Sequence, residues 1–182
     1  MEPVVLRTDR LELSVPRASD IDEMTSYCQD PEIARFVPIP QPYTAESARS
    51  FIEDYVPASW ASAREFSWAM RDVTRVTDAG AGAFLGMIGA VPKPDGSLNV
   101  GYWLGAAHRG HGYVPEAAMA VIEWARETLG STTAIWWAIA GNTSSARVAE
   151  KLGFTRTGTG PLEGGFRGAP AEGWFAQLAL AR

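Results

Sequence analysis

The residues with the clearest chemical meaning form a short glycine-rich segment between a predicted strand and a predicted helix. The segment reads Arg109-Gly110-His111-Gly112-Tyr113-Val114, and Pro115 follows it. Glycines let a backbone curl closely around a ligand, and the first turn of a helix presents free N–H groups at the positive end of its dipole. The segment therefore predicts a backbone site for an anion such as a diphosphate. A glycine-rich turn that binds no ligand is the alternative.

Two other phosphate-binding motifs do not fit this segment. The dinucleotide fingerprint requires a third glycine, and Pro115 stands in its place. The Walker loop requires G-x-x-x-x-G-K-[ST], a string that the chain does not contain. The missing glycine argues against a dinucleotide-binding domain.

The pattern around the segment predicts the elements that must position it. Asn99 to Leu104 is typical of a strand that leads into the segment, and Ala134 to Ile139 of a strand that comes later. Between them, Pro115 to Leu129 is the clearest helix of the chain, with Gly130 suited to its C-terminal cap. A strand–helix–strand unit of this kind forms a right-handed crossover, so the two strands are predicted to be parallel.

The remaining pattern predicts an α/β (α+β) domain that spans residues 1–182, with a mixed central sheet of about six to seven strands and about four helices. Further strands are predicted at 6–15, 66–70, 84–91 and 174–180. Further helices are predicted from Ser19, from Thr44 and at 145–152. Val73 to Gly82 is predicted to be a polar connection, and Thr157 to Gly173, rich in glycine and proline, a mobile loop.

Composition narrows the class of protein. The chain has 182 residues, of which 46% are apolar and 20% charged, as in ordinary soluble domains. The net charge of -5 argues against direct nucleic acid binding. No membrane span or signal peptide is apparent, so a cytoplasmic location is expected. With two histidines and the single Cys28, which is expected in the core, no metal site is predicted.

Several motifs together resemble the GNAT superfamily of N-acetyltransferases. The glycine-rich segment is similar to the superfamily's acyl-CoA-binding motif R/Q-x-x-G-x-G/A, with Val114 in place of the usual small last residue. Asn99 to Leu104 looks like the superfamily's fourth strand. Residues 6–11, 19–20 and 30–32 resemble motifs of the RimJ/RimL-like branch, which acts on ribosomal proteins. The N-x-x-S…K-L-G-F block from Asn142 to Phe154 also resembles that branch.

The resemblance implies an acetyl-CoA-dependent N-acetyltransferase whose sheet splays between its fourth and fifth strands. The implied contacts of the pantetheine arm are the backbones of Gly101, Tyr102, Trp103 and Leu104. The implied pyrophosphate contacts are the N–H groups of Arg109, Gly110, His111, Gly112, Tyr113 and Val114, without a metal. Asn142 would close the end of the splayed strand. The side chains of Arg109 and Lys151 either approach the phosphates or are solvated.

Ser145 matches the family position that protonates the departing thiolate after a direct attack by the substrate amine. The alternative for Ser145 is that it only caps the short helix, because small polar residues favour that position. The family often places an acidic base on the fourth strand or at its exit, where this chain has Asn99, Ala106 and Ala107. His108 and Glu172 are the candidates for the base by location. The alternative is that the substrate enters as the free amine and needs no dedicated base.

The acceptor implied by the resemblance is a primary amine, most simply a protein or peptide N-terminus. A small amine such as an antibiotic or a polyamine is the first alternative. A non-catalytic acyl-CoA-binding domain is the second. The chain is expected to be a monomer or a homodimer.

Overall fold

Eight strands form one sheet in the computed structural model, which describes residues 1–76 and 82–180. They are β1 (Leu6–Arg7), β2 (Leu11–Ser14), β3 (Phe66–Val76), β4 (Gly82–Pro92), β5 (Ser97–Leu104), β6 (Thr133–Ile139), β7 (Thr155–Pro161) and β8 (Glu172–Ala179). Their order in the sheet is β1-β2-β3-β4-β5-β6-β8-β7. Every neighbouring pair is antiparallel except β5 and β6, which are parallel as the sequence predicts.

Six helical segments flank this sheet within the described ranges, and two of them join into one helix. They are α1 (Ile21–Tyr27), α2 (Pro31–Phe36), α3 (Ala45–Ser50), α4 (Val56–Ala61), α5 (Tyr113–Leu129) and α6 (Thr143–Lys151). A π-helical turn, Phe51–Tyr55, joins α3 to α4, so these two segments form one continuous helix. α5 ends at Gly130, whose φ of 69° is the left-handed cap expected there.

The parallel strands β5 and β6 separate soon after they meet. Their register comprises Ser97↔Thr133, Leu98↔Ala134 and Asn99↔Ile135, whereas β5 continues to Leu104 and β6 to Ile139. A wedge-shaped gap therefore opens beyond Asn99. Gly101 to Leu104 pair with β4 on one side, but on the side of the gap they have no strand partner among the described residues. This confirms the predicted splay, since the predicted fourth and fifth strands correspond to β5 and β6.

Two apolar cores hold the helices against opposite faces of the sheet. On one face α5 packs with buried side chains such as Val121 and Ile122 against Ile88 and Val100. On the other face α1, α2 and α3 bury Met24, Ile33 and Ala48 against Phe84 and Met87. We call these the α5 face and the α1 face. The continuous helix crosses from one to the other, because Ala48 lies in the second core and Trp60 in the first.

Two sequence predictions about elements are wrong, and one helix was not predicted. Thr155–Pro161 is the strand β7, although it lies largely within the predicted mobile loop, because pairing with β8 satisfies its backbone. Asp30-Pro31 starts the unpredicted helix α2, in which Pro31 is tolerated in the first turn and the Asp30 carboxylate accepts a bond from the Glu32 N–H. Ser19 lies inside a 3₁₀ turn and caps no helix.

Other boundaries shift by a few residues. The predicted first strand, 6–15, is interrupted and forms both β1 and β2. The predicted polar connection from Val73 begins later, because β3 runs to Val76, and residues 77–81 of that connection lie outside the described residues. Cys28 is buried as predicted, and burial raises the pKa of its thiol to about 12. Among the described residues, no helix has the length and apolar character needed to cross a membrane.

Candidate active site

Two glycines give the loop before α5 its shape. Gly110 has a φ of 81° and Gly112 has a φ of 79° with a ψ of 10°, in the left-handed region that suits glycine. Gly112 is the residue that caps the N-terminus of α5, so the N–H groups that follow it have no partner within the helix. A Cβ built at Gly110 meets nothing within 4 Å, which leaves open space beside the loop. These features fit the diphosphate of a coenzyme A.

The N-terminal segment of the chain holds this loop in place. Arg10 bonds the Glu116 carboxylate in the first turn of α5 through Nε at 2.8 Å, and its Nη1 donates to the carbonyl of His111 at 3.1 Å. Thr8 donates its hydroxyl to the same carboxylate. The 6–11 motif was recognised in the sequence by resemblance alone. Its structural role is to anchor the loop and the start of α5.

The side chains of Arg109 and Lys151 have different surroundings. Arg109 forms an ion pair with Asp30 at 2.5 Å and donates to the carbonyl of Leu104 at 3.2 Å. Its guanidinium therefore ties the loop to α2 and to the end of β5. Lys151 is exposed at the C-terminal end of α6, facing the same cleft as the loop. Of the two side chains, Lys151 has the greater freedom to reach a phosphate.

A cleft of about 680 Å³ passes through the gap between β5 and β6. Residues of α6 on the α5 face and residues of α2 on the α1 face both line it. Of the residues predicted to bind the cosubstrate or to donate the proton, all but His111 lie on its walls. They are Gly101, Tyr102, Trp103, Leu104, Arg109, Gly110, Gly112, Tyr113, Val114, Asn142, Ser145 and Lys151. His111 is exposed beside the cleft, with its carbonyl bound to Arg10. The fold thus brings the predicted residues to one place.

The free edge of β5 presents backbone groups to the cleft. The carbonyl of Trp103 points at Gly86 of the neighbouring strand β4, so closely that a Cβ at Gly86 would overlap it. Because the backbone groups of a strand alternate in direction, those of Tyr102 and Leu104 point to the opposite side, where β6 has separated. This edge can pair with an extended amide-containing chain such as pantetheine.

Ser145 lies in the first turn of α6 at the centre of a hydrogen-bonded group. The Trp136 indole N–H donates to the Ser145 Oγ at 3.0 Å, and the Tyr102 hydroxyl lies 2.8 Å from the same Oγ. The helix cap is Asn142, whose Oδ1 accepts the Ser145 N–H at 3.1 Å. The Ser145 hydroxyl is therefore not the cap, contrary to the alternative considered from the sequence.

The Tyr102 hydroxyl was not anticipated, since the sequence singled out only its backbone. Burial raises the pKa of Tyr102, against the bonds with Ser145 and Trp136 that lower it, so the hydroxyl keeps its proton at neutral pH. The Tyr102 hydroxyl can donate its one proton either to the Ser145 carbonyl, at 3.2 Å, or to the Ser145 Oγ. When it donates to the Oγ, as the Trp136 indole does, the proton of Ser145 is free for another acceptor. This arrangement suits Ser145 for donating a proton to a group in the gap.

Neither candidate for the base lies on the cleft. His108 is buried, and its Nε2 is 2.9 Å from the hydroxyl of Tyr27. Glu172 is exposed at the start of β8 and lines a separate, smaller cavity on the surface with Pro161 and Leu162. Among the described residues, the carboxylates that do line the cleft are Glu32 and Glu65. Glu32 belongs to the 30–32 motif that the sequence singled out, but not as a base, and Glu65 stands in no such motif.

Comparisons with known proteins agree with this geometry. An N-acetyltransferase of Bacillus licheniformis, the uncharacterized p20, is 27% identical over 157 residues, which are 84% of this chain and 83% of that protein. A Vibrio cholerae structure assigned as a ribosomal-protein-serine acetyltransferase superposes with a TM-score of 0.84 at 22% identity, over 99% of this chain and 100% of that one. RimL, a ribosomal α-N-protein acetyltransferase in complex with coenzyme A, superposes with a TM-score of 0.79 at 15% identity, over 97% and 98%.

At these identities the two solved structures establish the shared fold. The acetyltransferase (GNAT) domain family matches residues 10–155, which include the loop, the splayed strands and Ser145. The protein is an acetyltransferase with acetyl-CoA as its acetyl donor, and the chain belongs to the GNAT family.

Proposed function

We propose that this enzyme transfers the acetyl group of acetyl-CoA to a primary amine at the N-terminus of a protein or peptide. The observation that carries the proposal is the cleft through the sheet. Its walls on the α5 face include the loop and α6, where the cosubstrate would bind. Its walls on the α1 face include α2 and the start of β3, where an acceptor can approach from the opposite side. The two substrates can therefore meet in the gap.

The reaction is a direct transfer at the gap between β5 and β6. The amine nitrogen attacks the thioester carbon, an N–C bond forms, and the C–S bond breaks. The proton that the nitrogen loses balances the proton that the sulfur gains. Ser145 gives its hydroxyl proton to the sulfur and recovers one from water in the open cleft, while Tyr102 and Trp136 hold its oxygen in place.

Two features support a protein or peptide acceptor. Related folds include enzymes described as acting on ribosomal proteins, one of them at the α-amino group. In addition, the wall on the α1 face contains small residues, Ser67 and Gly89, beside apolar ones, Phe36 and Pro38. A surface of this kind admits an extended chain terminus, whose backbone approaches the glycine while side chains contact the apolar wall.

Acetyl-CoA turnover against a panel of acceptors tests the proposal. Free thiol release is measured with peptides that carry different first residues, with the same peptides acetylated in advance, and with polyamines and aminoglycosides. We expect turnover with free N-termini, none with blocked ones, and an acetyl group on the α-amine by mass spectrometry. Selective turnover of the small amines would overturn the proposal.

A further inference from the structure

Glu65 directs a carboxylate toward the cleft from the α1 face. It is half-buried immediately before β3, and its Oε1 lies 3.2 Å from the position of a Cβ built at Gly89. Gly89 pairs with Gly101 on the next strand, where an added Cβ meets nothing within 4 Å. The carboxylate thus lies over Gly89, and because neither glycine has a side chain, no Cβ stands between it and the open space beside Gly101.

Hydrogen bonds hold the Glu65 carboxylate without neutralising it. The Tyr55 hydroxyl donates to Oε2 at 2.6 Å, and the Ser67 hydroxyl donates to Oε1 at 3.2 Å. Glu65 takes part in none of the ion pairs found among the described residues. A carboxylate offers about four acceptor positions, so this one retains room for further donors.

Asn99 supplies a second acceptor on the same face. Its Oδ1 is buried and has no hydrogen-bond partner, although buried polar atoms are normally paired. Asn99 is the last residue of β5 that pairs with β6, so it stands where the gap opens. Phe66 pairs with Ala90, so the preceding residue, Glu65, lies opposite Val91 on β4. Val91 in turn pairs with Asn99 on β5. Glu65 and Asn99 therefore lie at the same level across the sheet, on either side of Val91. Two strand spacings of about 4.8 Å each separate the two residues.

We propose that Glu65 and Asn99 form the subsite for the acceptor amine, with Glu65 as the group that takes its proton. This extends the proposed function, because it requires an amine acceptor. An ammonium group has N–H donors alone, which match a carboxylate and an amide oxygen. Two of its N–H groups bind Glu65 and Asn99 Oδ1. One proton passes to the Glu65 carboxylate, which later releases it to water in the cleft, and the lone pair so exposed forms the bond to the acetyl carbon. The second proton that the nitrogen loses passes to water and balances the proton that the sulfur gains from Ser145.

The principal test is Glu65→Gln, which keeps the shape and the bonds from Tyr55 and Ser67 but removes the charge. At pH 7 we expect kcat/KM for the amine to fall about 10²-fold, at the lower end of general base effects. The affinity for acetyl-CoA should stay within about twofold, because Glu65 lies on the acceptor side.

Raising the pH separates a catalytic role from a structural one. An α-amine loses its own proton above a pKa of about 8, so the deficit of Glu65→Gln should shrink there. Burial and the bond to Glu65 raise the pKa of Tyr55, so its hydroxyl remains a donor over this range. Adding Asn99→Asp to Glu65→Gln restores a carboxylate to the subsite. The kcat/KM of this double variant should be about tenfold higher than that of Glu65→Gln.

The matched control is Glu53→Gln, which removes one negative charge from the π-helical turn that also contains Tyr55. Glu53 is exposed and paired with Arg49, away from the cleft, so its kcat/KM should match that of the wild type. Unchanged turnover in Glu65→Gln, or a loss that persists at high pH with a lowered melting temperature, would refute the proposal. If the wild type prefers small amines to peptides, the peptide acceptor is rejected while Glu65 is still tested with those amines. A wild type that acetylates no amine overturns both.

Discussion

Replacing Gly112 by alanine should weaken the binding of acetyl-CoA through the backbone of the loop. Gly112 has a φ of 79°, which an L-residue rarely adopts. The nearest atom to an added Cβ is the Arg10 Nη2, at an ordinary contact distance of 3.7 Å. The methyl group itself therefore fits, and the cost arises from the left-handed conformation.

The size of the effect follows from that conformational cost. The left-handed region costs an L-residue roughly 1–2 kcal/mol. If the loop must hold this conformation to bind, the competent fraction falls and the apparent Kd for acetyl-CoA rises by about 5- to 30-fold. Asparagine tolerates the left-handed region better than alanine, so Gly112→Asn should bind more tightly than Gly112→Ala. The β-branched Gly112→Val should bind least well.

Isothermal calorimetry with acetyl-CoA and with CoA, in the presence of a chelator, measures these affinities. The control is Gly130→Ala at the opposite end of α5, where φ is 69° and an added Cβ meets nothing within 4 Å. It imposes similar backbone strain on the same helix and should lower the melting temperature without changing the Kd. Equal affinities for Gly112→Ala and the wild type, or equal losses in both variants, would refute the role of the loop.

Three further predictions concern catalysis and stability. Ser145→Ala should lower kcat about 10²-fold with little change in acetyl-CoA affinity, because its hydroxyl acts on the departing sulfur; steady-state kinetics and calorimetry measure the two, and a normal kcat would contradict the role. Arg71→Met leaves the buried Asp20 unpaired, so the free energy of unfolding in urea should fall by about 3–5 kcal/mol. Burial lowers the pKa of His108, as do the charges of Arg75 and His111, against an opposing effect of Asp72. The unfolded chain therefore binds a proton more readily, so stability should decline as the pH falls below the unfolded value of about 6.5. Stability should depend less on pH in His108→Gln, and thermal melts across this pH range measure that dependence. The same pH dependence in His108→Gln and in the wild type would contradict the prediction.

The loop and the elements around it were predictable because their signals are local. Gly110 and Gly112 mark the turn, the apolar stripe of α5 follows within a few residues, and Gly130 ends the helix. Several short motifs in the expected order then indicated the GNAT family. The strand β7 was missed for the converse reason: its glycines and Pro161 suggest a loop, and only pairing with β8 stabilises it as a strand.

The chemistry around the cleft depends on contacts between distant parts of the chain. Tyr102 and Ser145 are 43 residues apart, and Arg10 and Glu116 are 106 apart. The position of Glu65 depends on the register that sets β3 beside β4. No local pattern encodes these distances, so the sequence could propose Ser145 but not its partners, and it placed the base at His108 or Glu172.

The unpaired edge of β5 has a consequence for the dynamics of the free enzyme. Amide hydrogens of Tyr102 and Leu104 that face the gap lack the ladder partner that protects amides elsewhere in the sheet, so they should exchange with solvent early. Cosubstrate that pairs with this edge would slow the exchange of these amides. At a concentration 100 times its Kd it would raise the free energy of unfolding by about 2.7 kcal/mol, and the melting temperature with it. The supply of acetyl-CoA would then affect the stability of this protein as well as its rate of turnover.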